Sequence, residues 1–454
     1  MKDINNIVVK YSTSIKETMA TIDTGAIRMA LVVDENFKLV GLVTDGDIRR
    51  AIVKGISIDD EVKSIMNKKP IIIKKGLTKN EIIYFIKNND KNICFPIVNN
   101  DDKLHDLVIP YGDGFINYEK NLIEKKVDKV LILGGAGFIG SVLTKLLLDK
   151  GYKVKVLDKF MYNEDSLKSF DNKNLEIIKG DIRHVEDVTE AAKGVDAVIH
   201  LAELVGDPAC AFDTKITLDI NHLATRIVAS VCKYYQINRL VYMSSCSVYG
   251  ASKCDELLTE NSNLFPVSLY AKMKIESEKT LLEMIDNNFS PTILRLSTVY
   301  GMSYRPRFDL VVNTLSAKAI QDGKITIFGG DQWRPNVHVS DVAKAIMLVI
   351  ESPIKNVAGE IFNVGSEKQN FTINKIGEII KQEIPEAELV IEDKDVDKRN
   401  YKVDFTKIRE TIGFIPDKTI SEAVNEIKKA FADGKIKDYT DKKYSNIKCL
   451  QENS

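Results

Sequence analysis

Tyr270 and Lys274 stand four positions apart in Pro266-Val267-Ser268-Leu269-Tyr270-Ala271-Lys272-Met273-Lys274. On a helix this spacing puts a phenol and an ammonium on one face. The ammonium lowers the pKa of the phenol, which can then exchange a proton with a substrate hydroxyl. A second group comes from Met243-Ser244-Ser245-Cys246-Ser247-Val248-Tyr249-Gly250, which closes a short apolar run. Ser245 is the expected hydroxyl to steady the same substrate oxygen, with Ser247 as its local competitor. No acyl-transfer triad accompanies these serines, so hydrolysis through an acyl-enzyme is the poorer reading. Tyr-x-x-x-Lys occurs by chance on many helices, and its meaning depends on what precedes it.

What precedes it is a phosphate cradle. The apolar strand Val130-Leu131-Ile132-Leu133 runs into Gly134-Gly135-Ala136-Gly137-Phe138-Ile139-Gly140, and a helix is expected from Ser141 to Lys150. Gly134 permits a tight turn, Gly137 lets the backbone approach a pyrophosphate, and Gly140 allows close helix–strand packing. Unpaired amides at the helix start suit the phosphates. The next strand, Val154 to Leu157, ends in Asp158, whose carboxylate can accept from both ribose hydroxyls and repels a 2′-phosphate. NAD is therefore expected over NADP, although Lys159 softens the preference. Further strands are read at 175–179, 197–201, 239–243 and 292–296, with helical segments between them. That rhythm predicts an α/β fold, a doubly wound parallel sheet covered on both faces. Asp181, in Gly180-Asp181-Ile182, either meets the adenine amine or caps the next element.

Over residues 128–435 the chain resembles an extended short-chain dehydrogenase/reductase of the NAD-dependent nucleotide-sugar epimerase/dehydratase family. The likeness rests on Gly134 to Gly140, Asp158, Gly180-Asp181, His200-Leu201-Ala202, Ser244 to Gly250, Tyr270 and Lys274. It continues in Arg295-Leu296-Ser297-Thr298-Val299-Tyr300-Gly301 and Trp333-Arg334-Pro335-Asn336-Val337-His338-Val339-Ser340-Asp341. The resemblance implies Ser245, Tyr270 and Lys274 as the catalytic trio. It implies cofactor contacts from Gly134, Gly137, Phe138, Ile139, Gly140, Asp158, Asp181, Ile182, Leu201 and Ala202, with Tyr270 and Lys274 beside the nicotinamide ribose. Arg334 and Arg399 would meet the diphosphate of a UDP- or GDP-sugar, while Arg305, Arg307 and Asn313 would shape its pocket. Most of a smaller substrate-binding region would follow residue 308. His338 is read as a packing residue, Asp341 as the cap of the helix after it, and Cys246 as a packed thiol.

Within that family the 4,6-dehydratases resemble Thr-Asp-Glu where this chain has Ser245-Cys246-Ser247, so elimination of water by that route is disfavoured. The Ser-Ser-x-Ser-Val-Tyr-Gly form looks most like 4-epimerases working through a 4-keto sugar. A nucleotide-sugar 4-dehydrogenase or ketoreductase is the alternative, because the Gly-Asp-Pro-Ala-Cys stretch from Gly206 resembles a branch with such members. A non-catalytic nucleotide sensor is a third. Glu203 departs from the small residue common in the family. Its carboxylate would bind a sugar hydroxyl, assist proton transfer or face solvent. A homodimer or higher homo-oligomer is implied by the family.

Residues 1–120 contain a diverged repeat, with hairpin patterns at 27–43 and 93–109, each after a short helical segment at 15–24 or 78–89. Two strand–helix–strand–strand–helix units are expected to pack face to face. The pair resembles tandem cystathionine-β-synthase-type (CBS) domains, an α+β module, on the strength of Gly41-Leu42-Val43-Thr44-Asp45-Gly46-Asp47-Ile48-Arg49-Arg50. The resemblance implies Thr44 on the phosphate and Asp47 on the ribose of an adenine nucleotide; the plainer reading is that either residue caps a helix. The second copy has no matching Thr-x-x-Asp. A charged stretch, 119–129, would join this module to the next, and 436–454 is read as a polar tail.

Composition narrows the field. With 64 Lys plus Arg against 65 Asp plus Glu, the net charge is −1, which argues against a broad nucleic-acid surface. No apolar run approaches a membrane span. The six cysteines show neither CxxC pairs nor a zinc arrangement, so no metal site and a reducing, cytoplasmic setting are expected.

Overall fold

The computed structural model describes residues 4–25, 29–77, 79–89, 94–111, 114–117, 126–162, 165–251, 257–286, 288–392 and 399–452. The chain divides into two compact units, Met1–Leu122 and Ile123–Ser454.

The first unit is built from a structural repeat. In its first half Val8–Lys10 runs parallel to Met29–Val33, which pairs antiparallel with Leu39–Thr44. In the second, Ile73–Lys74 runs parallel to Phe95–Val98, which pairs antiparallel with Leu104–Tyr111. The correspondence reaches single residues. The register slips between Val32 and Val33 in one hairpin and between Ile97 and Val98 in the other. Asp34 and Asn99 each accept two turn amides, and Phe37 and Asp102 each take a positive φ. Ile4, Met29, Leu31, Cys94, Leu104 and Leu107 share one core, so the halves pack on each other. The halves differ at their ends. After Thr44 comes the helix Asp45–Val53, whereas Leu104–Tyr111 pairs onward with Gly114–Asn117. Among the described residues of this unit no helix follows the second hairpin, where a closing helix was expected. Gly112, Asp113 and residues 118–125, which include most of the expected linker, lie outside the described residues.

The second unit carries a seven-stranded, all-parallel sheet. Its strands are β1 (Lys129–Leu133), β2 (Lys153–Asp158), β3 (Leu175–Lys179), β4 (Ala197–His200), β5 (Arg239–Ser245), β6 (Ser290–Leu296) and β7 (Ile361–Val364). They lie in the order β3-β2-β1-β4-β5-β6-β7. β4, β6 and, past Lys129, β1 are buried along their length, as apolar runs covered on both faces must be. One face packs on the cluster around Leu143, Leu147 and Ile346, the other on that around Val188, Val228 and Leu281. The direction of winding reverses between β1 and β4. Ligands of such sheets bind at the carboxyl ends beside that switch. The helix after β1, α1 (Phe138–Asp149), begins three residues earlier than the sequence pattern suggested, because Gly137 already serves as its N-cap.

Beyond β6 the chain builds a smaller region. Helices Val311–Gln321, Ile373–Glu383 and Ile420–Ala432 bury Val312, Ile376, Ile380 and Val424 against the parallel pair Lys324–Phe328 and Glu388–Glu392. The segment expected as a polar tail is folded. It forms a 3-10 turn at Lys442–Tyr444 and a helix at Asn446–Glu452, and Tyr444 packs edge-on against Phe308 with ring centroids 5.3 Å apart. Its many lysines and aspartates conceal an apolar side made of Ile436, Tyr444 and Cys449.

Candidate active site

The glycine loop shows why these residues are glycines. Gly134 takes φ +83°, and a Cβ there would lie 2.8 Å from the Ala202 amide nitrogen. A Cβ on Gly140 would lie 2.2 Å from the Gly134 carbonyl, so α1 could not seat so closely over the turn. The turns after β1 and β4 therefore approach each other at backbone contact. Gly134, Gly137, Phe138, Ile139, Gly140 and Leu201 line a cavity of about 590 Å³. Asp158, Asp181, Ile182 and Ala202 line a smaller neighbour of about 110 Å³ that shares Gly134, Gly137, Leu201 and Glu203 with it.

Asp158, at the end of β2, accepts from the amides of Ala136 (2.9 Å) and Phe160 (2.8 Å). Burial raises its carboxyl, while those amides and the Arg305 charge pull it back. Lys159 is committed elsewhere, 3.2 Å from Asp181. Asp181 also holds Arg183. Burial opposes its charge, yet these two cations keep the carboxyl well below its ordinary range. Gly134 and Gly140 closed to a Cβ, an α1 N-terminus without a side-chain cap, and the Asp158 carboxylate in the wall of the adjoining cavity, its neighbour Lys159 paired with Asp181, fit an NAD dinucleotide.

Tyr270 and Lys274 sit in α2 (Leu269–Glu283), whose N-cap Ser268 accepts from the Ala271 amide at 3.2 Å. Both face the large cavity, with Ser245 and Ser247 from the end of β5. The Ser245 hydroxyl caps the 3-10 turn Cys246–Tyr249, accepts from the Ser247 amide at 3.1 Å and lies 3.1 Å from the Ser247 hydroxyl. Cys246 is turned away, its thiol donating to the Arg295 carbonyl at 3.3 Å. The Lys274 ammonium lies 5.5 Å from the centre of the Tyr270 ring. It donates to the Glu203 carboxylate and to the Met243 carbonyl. The expected lowering of the phenol by Lys274 is therefore not what the geometry gives. Burial first, and Glu203 next, push Tyr270 well above the ordinary phenol range, and the Ser245 hydroxyl works against them.

The expected diphosphate and sugar contacts divide. Arg334 and Arg399 line the large cavity. Arg334 donates to the carbonyls of Trp333 (2.7 Å) and Arg399, and Arg399 pairs with Asp207 at 3.1 Å. Arg307 forks onto Asp309 at 2.8 and 3.1 Å. Arg305 differs. It is 2% exposed, stacks 4.4 Å from the centre of the Tyr162 ring, and its Nε and one terminal nitrogen have no partner among the described residues. Burial and the adjacent Arg307 depress it to about 10. Asn313 does not line either cavity; it brackets the Gly301 amide and carbonyl and the Arg307 carbonyl.

Two readings of neighbouring residues change. His338, not Asp341, is the N-cap of helix Val339–Glu351, its ring accepting from the Ser340 amide at 3.2 Å. Asp341 instead accepts from the Lys418 amide at 3.0 Å. Three further residues were not singled out in the sequence. Tyr242 donates its hydroxyl to Glu203 at 2.8 Å; Asn221 brackets the Leu204 amide (2.9 Å) and carbonyl (2.8 Å); Asn446 donates to the Val205 carbonyl at 3.1 Å. Asn221 alone left a signal, as a buried amide in an otherwise apolar helical face.

In the first unit Thr44 is the N-cap of Asp45–Val53 and forms a reciprocal capping box with Asp47. Arg50 pairs with the second Asp47 oxygen at 2.5 Å. Cys94, Cys210, Cys232, Cys246 and Cys449 are free and buried, and Cys254 lies outside the described residues. No group that could hold a metal ion occurs among the described residues, and no described helix is long and apolar enough to cross a membrane.

Comparison with known proteins agrees with this architecture. The CBS domain model matches residues 1–54. The chain is 31% identical over 315 residues to the uncharacterized UDP-glucose epimerase YtcB of Bacillus subtilis, covering 66% of this chain and 96% of that one. It is 32% identical over 263 residues to a UDP-glucose 4-epimerase of Lactobacillus helveticus, covering 52% and 76%. The solved UDP-glucuronic acid 4-epimerase of Bacillus cereus, in complex with UDP-glucuronic acid and NAD, is 26% identical with a TM-score of 0.60, covering 66% and 99%. The model of the NAD dependent epimerase/dehydratase family matches residues 130–365, and the chain belongs to that family.

Proposed function

We propose that the protein is an NAD-dependent nucleotide-sugar 4-epimerase acting through a 4-keto sugar. The observation that carries this reading is the convergence of Tyr270, Ser245 and Lys274 on one cavity that the glycine loop also lines. When bound, NAD supplies reversible hydride acceptance at the sugar carbon. Tyr270 takes the proton of the C4 hydroxyl and returns it, Ser245 steadies the oxygen, and Lys274 fixes the cofactor ribose beside them. Arg334 and Arg399, which line the same cavity, would meet a diphosphate. The two unpartnered nitrogens of the Arg305 guanidinium favour an anionic ligand, since buried donors without partners are costly. The keto sugar must turn before C4 is reduced from its other face. UDP-sugars are favoured by the named substrates of the relatives, with GDP-sugars as the second test set.

The test is product analysis with UDP- and GDP-hexoses, together with the redox state of the cofactor. The expected result is a C4 epimer with NAD regenerated. Stoichiometric NADH with a stable keto sugar and no epimer would assign a 4-dehydrogenase instead.

For the first unit we infer a diverged tandem CBS pair, supported by the residue-level repeat of its two hairpins, with adenine nucleotide at Thr44 and Asp47. Calorimetry of the full chain with AMP and ATP tests this; no heat, or heat unchanged by Asp47→Ala, would leave the capping box as their whole role. A cytoplasmic homodimer is the setting that fits the buried thiols and the family.

A further inference from the structure

Glu203 reaches the site from the turn after β4, and that turn is fixed by the Asn221 bracket on Leu204. Its side chain is 2% exposed, and that of Lys274 3%. One carboxylate oxygen accepts from the Tyr242 hydroxyl at 2.8 Å, and the other from the Lys274 ammonium. With a donor on each oxygen, the ionised carboxylate is the satisfied form. A proton on the oxygen beside Lys274 would face an ammonium, which only donates; one beside Tyr242 would require that hydroxyl to turn and accept. Burial raises this carboxyl above its ordinary range, against the opposing pull of Lys274 and Tyr242.

We propose that Glu203 is a positioning residue, a fixed anion that anchors Lys274 and withholds part of its charge from Tyr270. It thereby sets the pH at which the phenol exchanges its proton. This role rests on the reading of Tyr270 as the proton-exchanging group. It needs no contact with the sugar, because each oxygen already meets a protein donor.

The other titratable groups around the cluster leave this balance intact. His200, from β4, is pushed down to about 3 by burial and by Lys274, so it is neutral near neutral pH. Cys210 is pushed up to about 12 by burial, so it too is neutral. The Asp207 charge is shared with Arg399. Tyr242 is held far above the phenol range by burial and Glu203. The main opposed charges beside Tyr270 are the Glu203 carboxylate and the Lys274 ammonium, with Asp207 a smaller contributor. Replacing Glu203 removes the largest charge that raises the phenol, which favours the phenolate and makes Tyr270 more acidic.

The experiment compares the full wild-type chain with Glu203→Gln and Glu203→Asp. Tyrosinate absorbance is titrated without added cofactor, and Tyr270→Phe in each background isolates the Tyr270 contribution. In Glu203→Gln the Tyr270 transition is expected at least about one pH unit lower, a tenfold gain in acidity. The acid limb of kcat/KM should move the same way, because activity needs the phenolate and that form now persists to lower pH. Glu203→Asp keeps the charge and should keep both near their wild-type positions. A transition and limb that stay put or move upward in Glu203→Gln would overturn the proposal, as would equal shifts in Gln and Asp. Should Glu203→Gln not fold, Glu203→Ala carries the same expectation. If no nucleotide sugar is turned over, the catalytic reading fails while the titration still decides the role of Glu203.

Discussion

Two buried ion pairs lie one turn apart on α2, and they have different work. Glu278 receives both nitrogens of the Arg295 fork, Nε at 3.0 Å and a terminal nitrogen at 2.7 Å, plus the Ser244 hydroxyl at 2.5 Å. Arg295 continues to the Tyr249 hydroxyl and the Glu260 carbonyl, both at 3.1 Å, and Tyr249 continues to Asn363 at 2.7 Å. Burial works against the charge on Arg295, yet Glu278 holds it above its ordinary range. Every partner is protein, and neither Glu278 nor Arg295 lines the cavity. The Lys274–Glu203 pair has the same chemistry but stands in the cavity wall beside a phenol. A buried pair closed on itself fixes β5, β6 and α2 to one another. A buried pair open to a cavity sets the charge felt by whatever reacts there. Burial of an ion pair therefore says little about function until its third neighbour is known.

The contrast can be broken by substitution. The largest effect is expected for Tyr270→Phe, which should lower kcat/KM by about 10²- to 10⁴-fold, the usual worth of a positioned acid–base group, with an unchanged melting temperature. Glu278→Gln should do the opposite. Leaving Arg295 buried with a neutral partner should cost about 3–5 kcal/mol of stability in a denaturant titration, with the acid limb of the pH profile unmoved. A limb that moves in Glu278→Gln would erase the distinction between the two pairs. Asp158→Asn should weaken NAD by about 1.5–3 kcal/mol, the worth of hydrogen bonds to a charged group, and narrow its preference over NADP. Binding isotherms for both cofactors measure this.

The effect that is smallest near neutral pH concerns His200, which shares its surroundings with Lys274. Its folded pKa is depressed to about 3, so below the ordinary histidine value the unfolded chain binds a proton that the folded chain does not. Its contribution to stability is present above about pH 6.5 and is lost as pH falls toward 3, at about 1.4 kcal/mol per unit. His200→Asn should flatten the acid side of the stability curve by that slope. An unchanged slope would show that His200 titrates normally.

The legible part of the molecule was its local chemistry. A strand, three glycines and a helix start are contiguous, and so are Tyr270 and Lys274 on one helical turn. The parallel sheet follows from apolar runs separated by helices. What the chain did not disclose were pairings across distance. Glu203 and Lys274 are 71 positions apart, and nothing near either residue names the other. Tyr242 looks like any residue of a buried strand until its hydroxyl meets Glu203. Arg334 fits a phosphate ligand by type, yet its guanidinium also binds two carbonyls. The C-terminal segment was hidden by charge, because its few apolar residues, Tyr444 among them, meet partners such as Phe308 far back in the chain.

The central claim is that Tyr270 passes the proton while the C4 carbon of a nucleotide sugar is oxidised. Stopped-flow absorbance of the NAD-loaded full chain, mixed with its preferred nucleotide sugar, follows that oxidation directly as NADH appears. The account predicts transient NADH in the wild type and at least about a hundredfold slower appearance in Tyr270→Phe, with NAD bound equally well by both. Formation of NADH at the wild-type rate in Tyr270→Phe would contradict it.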